Sequence, residues 1–254
     1  MNRPAMKKAV FLCIIISSLL TTSPDSVCLA LSDEQAMNLQ NELKGRQTGE
    51  RIAAFAEQFI GTPYDIDPLG TYVTHKVIVA DERVDCMYLA FRAVELALSA
   101  TPDEAIQVAL EKRFHERGVL AKGRVVNYDD RFAYGEDMIY SGKWGDEITA
   151  DIGKTVAVKD LRSGKNVIML TPAEAIKGMR GLRNGDILFF IKAPQKALSN
   201  ELVGHIGIVR TTDSGVYLIH ASGRKGKGGI VKKKELGDYL KKMPFIGVKI
   251  TRFP

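Results

Sequence analysis

The stretch that decides the fold is VGHIGIVRTTDSGVYLIHA, residues 203–221. Two runs rich in β-branched residues, His205–Arg210 and Val216–His220, flank the turn-forming sequence Thr212-Asp213-Ser214-Gly215. Such runs on both sides of a turn are typical of a β-hairpin. The sequence therefore predicts two antiparallel strands, each carrying one histidine.

The register of this hairpin decides how the two histidines meet. A two-residue loop centred on Thr212-Asp213 places His205 directly opposite His220, and a loop centred one residue later shifts the pairing by two. Because side chains alternate with period two, either register leaves both histidines on one face of the sheet. An odd-length loop with a bulge would break this arrangement.

Working outward from the hairpin, three further short runs predict strands: Asp186–Ile191, Ile230–Lys232 and Gly247–Arg252. The residues before the sheet have helical periodicity instead. Helices are predicted from a capping box at Ser32 up to Ile60 (with a break near Gly45–Gly49), over Cys86–Leu98 and over Pro102–Phe114, with a short strand at Lys76–Ala80. Helices first and an antiparallel sheet afterwards indicate the α+β class.

The segment around 118–181 is predicted to be a loop-rich insertion within a single domain spanning 31–254. It is dense in aromatic and cationic side chains: Tyr128, Arg131, Tyr134, Tyr140 and Trp144. These residues fit two interpretations, the lining of a groove or ordinary packing of the insertion.

The first 30 residues have the pattern of a secretory signal. Lys7 and Lys8 precede an apolar run from Ala9 to Leu20, and the segment closes on Cys28-Leu29-Ala30, with small residues at −3 and −1 of a cleavage site. The run is shorter than the roughly 20 residues that span a bilayer. We therefore expect an exported protein, periplasmic or secreted, without a stable membrane anchor after cleavage.

Cleavage there leaves Cys86 as the single thiol, because Cys13 and Cys28 lie in the signal. Exported proteins usually pair their cysteines as disulfides, and a lone one suggests an intermolecular bridge or a reactive thiol. Cys86 follows Val84-Asp85 at a predicted helix start, where the helix dipole and unpaired N–H groups are expected to lower its pKa. A buried, inert cysteine is the alternative interpretation.

Composition indicates a soluble globular protein, with 45% hydrophobic and 26% charged residues. Loss of the signal removes Arg3, Lys7, Lys8 and Asp25, which lowers the formal net charge from +6 to +4. Much of the excess lies in one C-terminal set: Arg224, Lys225, Lys227, Lys232, Lys233, Lys234, Lys241 and Lys242. This set fits a solvated face or attraction to an anionic polymer. Because no aromatic residues interleave with its members from Arg224 to Lys234, nucleic acid is not an expected partner.

Cys86, His205 and His220 together fit two kinds of site. A nucleophilic site needs a thiolate, a general base and a polar group that fixes the tautomer of the base, and these three residues supply that set. A zinc site through the same three side chains is the alternative. We favour the nucleophilic site and expect neither a metal nor another cofactor.

The motifs resemble those of NlpC-type, papain-like cysteine peptidases that cut peptidoglycan peptides. They are most similar to the N-acetylmuramoyl-L-alanine amidase-like branch, over about Ile60 to Phe253. The resemblance rests on Asp85-Cys86, Gly204-His205-Ile206-Gly207-Ile208 and Ile219-His220-Ala221. It extends to Gly61-Thr62-Pro63-Tyr64, Arg131-Phe132-Ala133-Tyr134, Arg183-Asn184-Gly185-Asp186 and the C-terminal Tyr239-Leu240 through Ile250-Arg252. Met87-Tyr88 departs from the smaller residues that usually follow the cysteine.

The resemblance implies a papain-like core, in which a nucleophile at a helix N-terminus packs on the C-terminal sheet. Cys86 would be the nucleophile, His205 the base and His220 the orienting residue. Tyr64 would lie near the oxyanion and Asp85 would shape the nucleophile turn. Arg131, Tyr134 and Gly204 would contact substrate.

The activity implied is hydrolysis of the N-acetylmuramoyl–L-alanine bond in peptidoglycan fragments, by a monomer. Cleavage of the γ-D-glutamyl–diaminopimelate bond by the same triad is the second possibility. A non-catalytic module that binds muropeptides is the third, although a binder has no need of all three triad residues.

Overall fold

The chain folds as N-terminal helices packed on an antiparallel sheet, a mixed arrangement consistent with the predicted α+β class. The structure is a computed structural model and describes residues 31–193, 195 and 201–254. The predicted signal, residues 1–30, lies outside the described residues. Within the described part of the chain, no helix is long and apolar enough to cross a membrane.

The helices are α1 (Asp33–Glu42), α2 (Thr48–Gln58), α3 (Thr71–Thr74), α4 (Cys86–Ala97), α5 (Pro102–Lys112), α6 (Gly135–Ser141), α7 (Thr149–Ile152), α8 (Pro172–Gly178) and α9 (Leu236–Lys242). Short 3₁₀ turns cover Tyr128–Asp130 and Met179–Gly181. The predicted capping box forms, because Ser32 Oγ accepts from the Gln35 amide and Gln35 Oε1 accepts from the Ser32 amide. The break between α1 and α2 falls where the sequence predicts it.

The strands are β1 (Leu120–Ala121), β2 (Arg124–Val125), β3 (Asp146–Glu147), β4 (Thr155–Lys159), β5 (Asn166–Leu170), β6 (Ile187–Ile191), β7 (Val203–Thr212), β8 (Gly215–Arg224), β9 (Gly228–Glu235) and β10 (Gly247–Arg252). The main sheet has the order β4-β5-β10-β6-β7-β8-β9, and β3 adds to the end of β10. The segment around 118–181 therefore contributes β3, β4 and β5 to the main sheet. Its Trp144 and Tyr128 are buried against Phe91 and Phe114, which fits the packing interpretation of those two rings.

The two faces of the sheet carry different layers, because its side chains alternate. Ile187, Phe189 and Ile208 lie in the larger apolar cluster with α2 and α4. Leu188, Phe190 and Val209 lie in a second cluster with α8 and α9. Helix α4 packs on β7 and β8 from one side, and α9 packs on β8 and β9 from the other.

The predicted strand at Lys76–Ala80 is wrong. These residues follow α3 as irregular chain, with Lys76 at a φ of 53°. Side chains satisfy their backbone groups where a neighbouring strand would otherwise do so. The Tyr88 hydroxyl accepts from the Ala80 amide (2.6 Å), and Arg113 donates to the Ile78 carbonyl (2.8 Å). With these groups paired, a β-branched run needs no sheet.

Candidate active site

Cys86 is the first residue of α4, and Asp85 caps that helix. One Asp85 oxygen accepts from the Tyr88 amide at 2.8 Å, and the other lies 3.0 Å from the Lys225 ammonium. An acidic N-cap satisfies a free N–H group of the first turn. The turn that carries Cys86 is therefore held from both sides, and the thiol is half-buried.

Tyr64 is fixed beside this turn by backbone pairing. The Tyr64 amide donates to the Gly229 carbonyl at 2.8 Å, and its neighbours Pro63 and Asp65 pair with Val84. Its ring lies over Gly223, where an added Cβ would come 2.2 Å from Cγ of Tyr64. Burial and the charges of Cys86 and Asp85 raise the pKa of Tyr64. Its hydroxyl thus stays protonated near the thiol.

The two histidines lie on the same face of the hairpin, as predicted. The loop is centred on Asp213-Ser214, because Thr212 pairs with Gly215 and Ile208 pairs with Ile219. This is the register that sets the histidines diagonally. Nε2 of His205 lies 2.8 Å from Nδ1 of His220, with the ring planes at 85°. A hydrogen bond joins the two imidazoles.

The ladder between β7 and β8 stops at Ile208–Ile219, three residues after His205 and one before His220. Beyond it, β7 pairs with β6 and β8 pairs with β9. The imidazoles belong to the face that carries α9, whereas α4 packs on the opposite face. The Ile206 amide interacts with the Cys86 sulfur. The thiol therefore reaches the sheet at this split, beside the residue that follows His205.

The electrostatics at Cys86 differ from the sequence-based expectation. Burial and the neighbouring Asp85 carboxylate raise the pKa of the Cys86 thiol to about 12. The amide of Ile206, the Lys225 ammonium and the amide of Cys86 lower it, but by less. The expectation of a lowered pKa is therefore wrong for the free protein, because it counted the helix terminus and omitted desolvation.

Both imidazoles are neutral at physiological pH. Burial and the neighbouring His220 lower the pKa of His205 to about 3. Burial, Lys232 and Lys234 lower the pKa of His220 to about 4. Lys232 lies directly across from His220 on β9, which explains its influence. The pair thus carries no net charge, and a single proton lies in the hydrogen bond between the two rings.

The geometry disfavours the zinc alternative through Cys86, His205 and His220. Among the described residues, no group of three or more His, Cys, Asp or Glu side chains is placed to hold a metal ion. Two imidazole nitrogens bound to tetrahedral zinc lie roughly 3.3 Å apart, given zinc–nitrogen bonds of about 2.0–2.1 Å. The 2.8 Å separation of the facing nitrogens is that of a hydrogen bond instead.

Tyr64 and Asp85 lie beside Cys86, and the Cys86 sulfur meets the strand that carries His205. The remaining predicted residues have other contacts. The Arg131 guanidinium lies over the Tyr128 ring at 5.7 Å, and the Tyr134 ring lies under Arg162 at 4.4 Å. At Gly204 an added Cβ would approach Lys192 to 2.5 Å. Substrate contact by Arg131, Tyr134 and Gly204 stays a prediction.

Three residues beside the site were not predicted as part of it. The Tyr239 ring of α9 lies 5.0 Å from the His220 ring and 6.3 Å from the His205 ring. Lys225 pairs with Asp85, and the buried Glu136 carboxylate accepts from the amides of Leu202 and Val203 at the start of β7. Local sequence patterns give no signal for such contacts, because all three are distant in sequence from their partners.

A buried ion network fixes α4 behind the cysteine. Arg92 binds the Asp81 carboxylate with Nε at 2.8 Å and Nη2 at 3.0 Å. Arg113, which follows α5, binds the Glu95 carboxylate with Nε at 2.5 Å and Nη2 at 2.6 Å. The Tyr88 hydroxyl donates to Asp81 at 2.7 Å. Tyr88, which departs from the family pattern, thus has a structural contact.

The sequence profile places the chain among amidase-like cell-wall hydrolases. Residues 54–248 match the profile of the AmiA-like family, described as N-acetylmuramoyl-L-alanine amidase-like. Because the match covers more than half of the chain, the protein belongs to this family. No curated protein matches the sequence significantly. Membership in the wider NlpC-type superfamily stays a prediction.

Solved structures show the same fold at low identity. An N-acetylmuramoyl-L-alanine amidase from Bacteroides uniformis has a TM-score of 0.64 and 19% identity, over 82% of this chain and 99% of that one. Protein LPG0564 from Legionella pneumophila has a TM-score of 0.67 and 16% identity, over 87% and 94% of the two chains. At these identities the likeness concerns the fold alone.

Proposed function

We propose that this protein is a cysteine-dependent amidase that hydrolyses the bond between N-acetylmuramic acid and L-alanine in peptidoglycan fragments. The observation that carries the proposal is the position of Cys86, at a helix start and beside the split from which the His205–His220 pair projects. Family membership supplies the substrate class. The B. uniformis neighbour bears the name of this activity.

The tautomers follow from the hydrogen bond between the imidazoles. To act as base, His205 must keep a free lone pair on Nδ1, so its proton lies on Nε2 and is donated to Nδ1 of His220. The Cys86 thiol then passes its proton to Nδ1 of His205 as the sulfur attacks the lactyl carbonyl carbon. His220 fixes the ring and stabilises its charged form.

Proton transfer from Cys86 to His205 is possible although the pKa values of the free protein hold both groups neutral. Burial holds Cys86 and His205 neutral when each is considered alone. Transfer from sulfur to imidazole creates two opposite charges side by side, whose attraction offsets desolvation. The Cys86 amide and the protonated Tyr64 hydroxyl are the donors available to the oxyanion.

The remaining steps use Cys86, His205 and one water molecule. The tetrahedral intermediate collapses, the carbon–nitrogen bond breaks, and His205 returns its proton to the L-alanine amine. The thioester left on Cys86 is attacked by water, whose proton passes to His205. Release of the lactyl carboxylate restores the thiol and neutral imidazole.

Export and domain organisation form part of the proposal. The cell-wall substrate of the family suggests an exported enzyme, so residues 1–30 would be removed and residues 31–254 would act as one monomeric catalytic domain. N-terminal sequencing of the exported protein tests the cleavage after Ala30. Sedimentation of the mature chain tests its monomeric state.

Mass spectrometry of defined muropeptides tests the scissile bond. The expected products are the lactyl-sugar and an intact peptide that begins with L-alanine. A peptide cut after γ-D-glutamate would identify the endopeptidase instead, and binding without turnover would identify the non-catalytic module. Folded Cys86→Ala should give no product, and turnover near the wild-type rate by that variant would contradict a cysteine mechanism.

A further inference from the structure

A cleft of about 400 Å³ opens between β8, β9 and α9 next to the histidine pair. His220 and Ser222 line it from β8 and Lys234 lines it from β9, while Tyr239 and Lys242 line it from α9. Tyr239 also lies near Cys86. Burial raises the pKa of the Tyr239 hydroxyl, and the Cys86 charge raises it further. The cleft therefore borders the candidate catalytic centre through His220 and Tyr239.

His220 carries an unused polar atom at the wall of this cleft. The side chain is 5% exposed, and its Nδ1 is engaged by His205. Its Nε2 is buried without a hydrogen-bond partner among the described residues. The tautomers required for catalysis place a proton on this nitrogen. A buried N–H group without an acceptor is costly, and a nearby negative charge would relieve that cost.

The cleft is lined by two lysines and two carboxylates, and the lysines are the charged groups for which the described residues provide no partner. Within the described part of the chain, Lys234 and Lys242 form no ion pair, and Lys232 lies across from His220. The two carboxylates of the lining are already engaged. Glu235 accepts from the amides of Gly237 and Asp238, and Asp238 pairs with Lys241 at 3.4 Å. The lysines are thus free to receive an anion.

We propose that this cleft binds a carboxylate of the substrate peptide between Lys234 and Lys242, against the His220 wall. The inference rests on the proposed function for the identity of the substrate. The bound charge orients the peptide, and it stabilises the positive charge that the His205–His220 pair takes up when Cys86 loses its proton. A carboxylate of the substrate therefore provides the negative charge beside His220 that the protein does not provide.

Two matched substrates test the cleft: N-acetylmuramoyl-L-alanyl-D-glutamate, and the same molecule with both carboxyl groups converted to amides. We expect the wild type to favour the diacid by about tenfold or more in kcat/KM, as for a charge-assisted contact. Lys234→Gln/Lys242→Gln should lose this preference, so that its kcat/KM values for the diacid and the diamide become equal. Lys122→Gln/Lys159→Gln, which changes net charge equally at exposed positions, should keep the preference.

The outcomes separate the two proposals. If the wild type cleaves both substrates equally, or if Lys234→Gln/Lys242→Gln keeps the preference, the subsite is refuted while the amidase stands. If the wild type cleaves neither, the amidase is refuted, and calorimetric binding of both compounds to Cys86→Ala still decides the subsite. Tighter binding of the diacid by Cys86→Ala would support the subsite if Lys234→Gln/Lys242→Gln in the same background abolishes the difference. Equal binding of the two compounds by Cys86→Ala would refute the subsite.

Discussion

The Nε2 atom of His205 faces the Nδ1 atom of His220 across 2.8 Å, so the two imidazoles share a single proton. In the proposed mechanism this contact gives the histidines unequal roles. His205 would exchange a proton with Cys86 through its Nδ1, whereas His220 would act only through His205. The distinction leads directly to different expectations for substitutions at the two positions.

His205→Ala should lower kcat by about 10²–10⁴-fold, the usual contribution of general acid–base catalysis. His220→Gln should retain more activity, because an amide oxygen can accept the Nε2 proton of His205, and His220→Ala should retain less than His220→Gln. Turnover of a defined muropeptide by each variant, with thermal melting to verify folding, measures this order. An active His205→Ala beside an inactive His220→Gln would exchange the assignments.

The free energy of unfolding should fall as pH drops below about 6.5. The pKa values of both buried histidines are lowered in the folded protein, so the unfolded chain binds more protons between the folded values and 6.5. Two such groups give a slope of up to about 2.7 kcal/mol per pH unit. Urea unfolding from pH 4 to 7 measures it. His205→Gln/His220→Gln, which keeps His75 and His115, should show a clearly shallower slope; equal slopes would disprove neutral burial.

Glu95→Gln should destabilise the fold by about 3–5 kcal/mol, because it leaves Arg113 and Arg92 buried without their full countercharge. The matched control is Glu111→Gln, whose ion pair with Arg117 is more than half exposed and worth about 0–1 kcal/mol. Urea unfolding of both variants provides the comparison. Similar losses in the two would mean that the network contributes no more than a surface pair.

Glu136→Gln should cost about 1–3 kcal/mol and also lower kcat. The amide keeps one acceptor oxygen, so one of the amides of Leu202 and Val203 faces an NH₂ group instead. These amides lie at the start of the strand that carries His205, so the Glu136 carboxylate connects α6 to the site. Glu111→Gln, at the exposed pair with Arg117, is again the control and should change both quantities far less. Unchanged turnover in Glu136→Gln would show that the Glu136 contact does not affect catalysis.

The hairpin is the part of the fold that local sequence predicts best. Alternation of apolar residues around a clear turn specifies both strands and the shared face of His205 and His220. The exact loop centre is less certain from sequence, because Thr212, Asp213 and Ser214 all favour turns, and the choice depends on packing. Helix α4 is likewise predictable from periodicity, and it ends one residue before the predicted position.

Tertiary contacts decide what the sequence does not show. The run Lys76–Ala80 has the composition of a strand, but Tyr88 and Arg113 bind its backbone. The pKa of Cys86 depends on burial and on Asp85, and neither effect is visible in a helix-terminus argument. Tyr239 joins the site only because α9 folds over β8, which no local pattern indicates.

Strand β10 lies between β5 and β6, although it follows every other strand along the chain. The ribosome therefore completes both parts of the main sheet before it makes the strand that joins them. Until residues 247–252 emerge, β6, whose Phe190 packs on His205, has an open edge. A nascent chain therefore exposes this edge of β6, and the sheet beneath the histidine pair is completed only once residues 247–252 have been made.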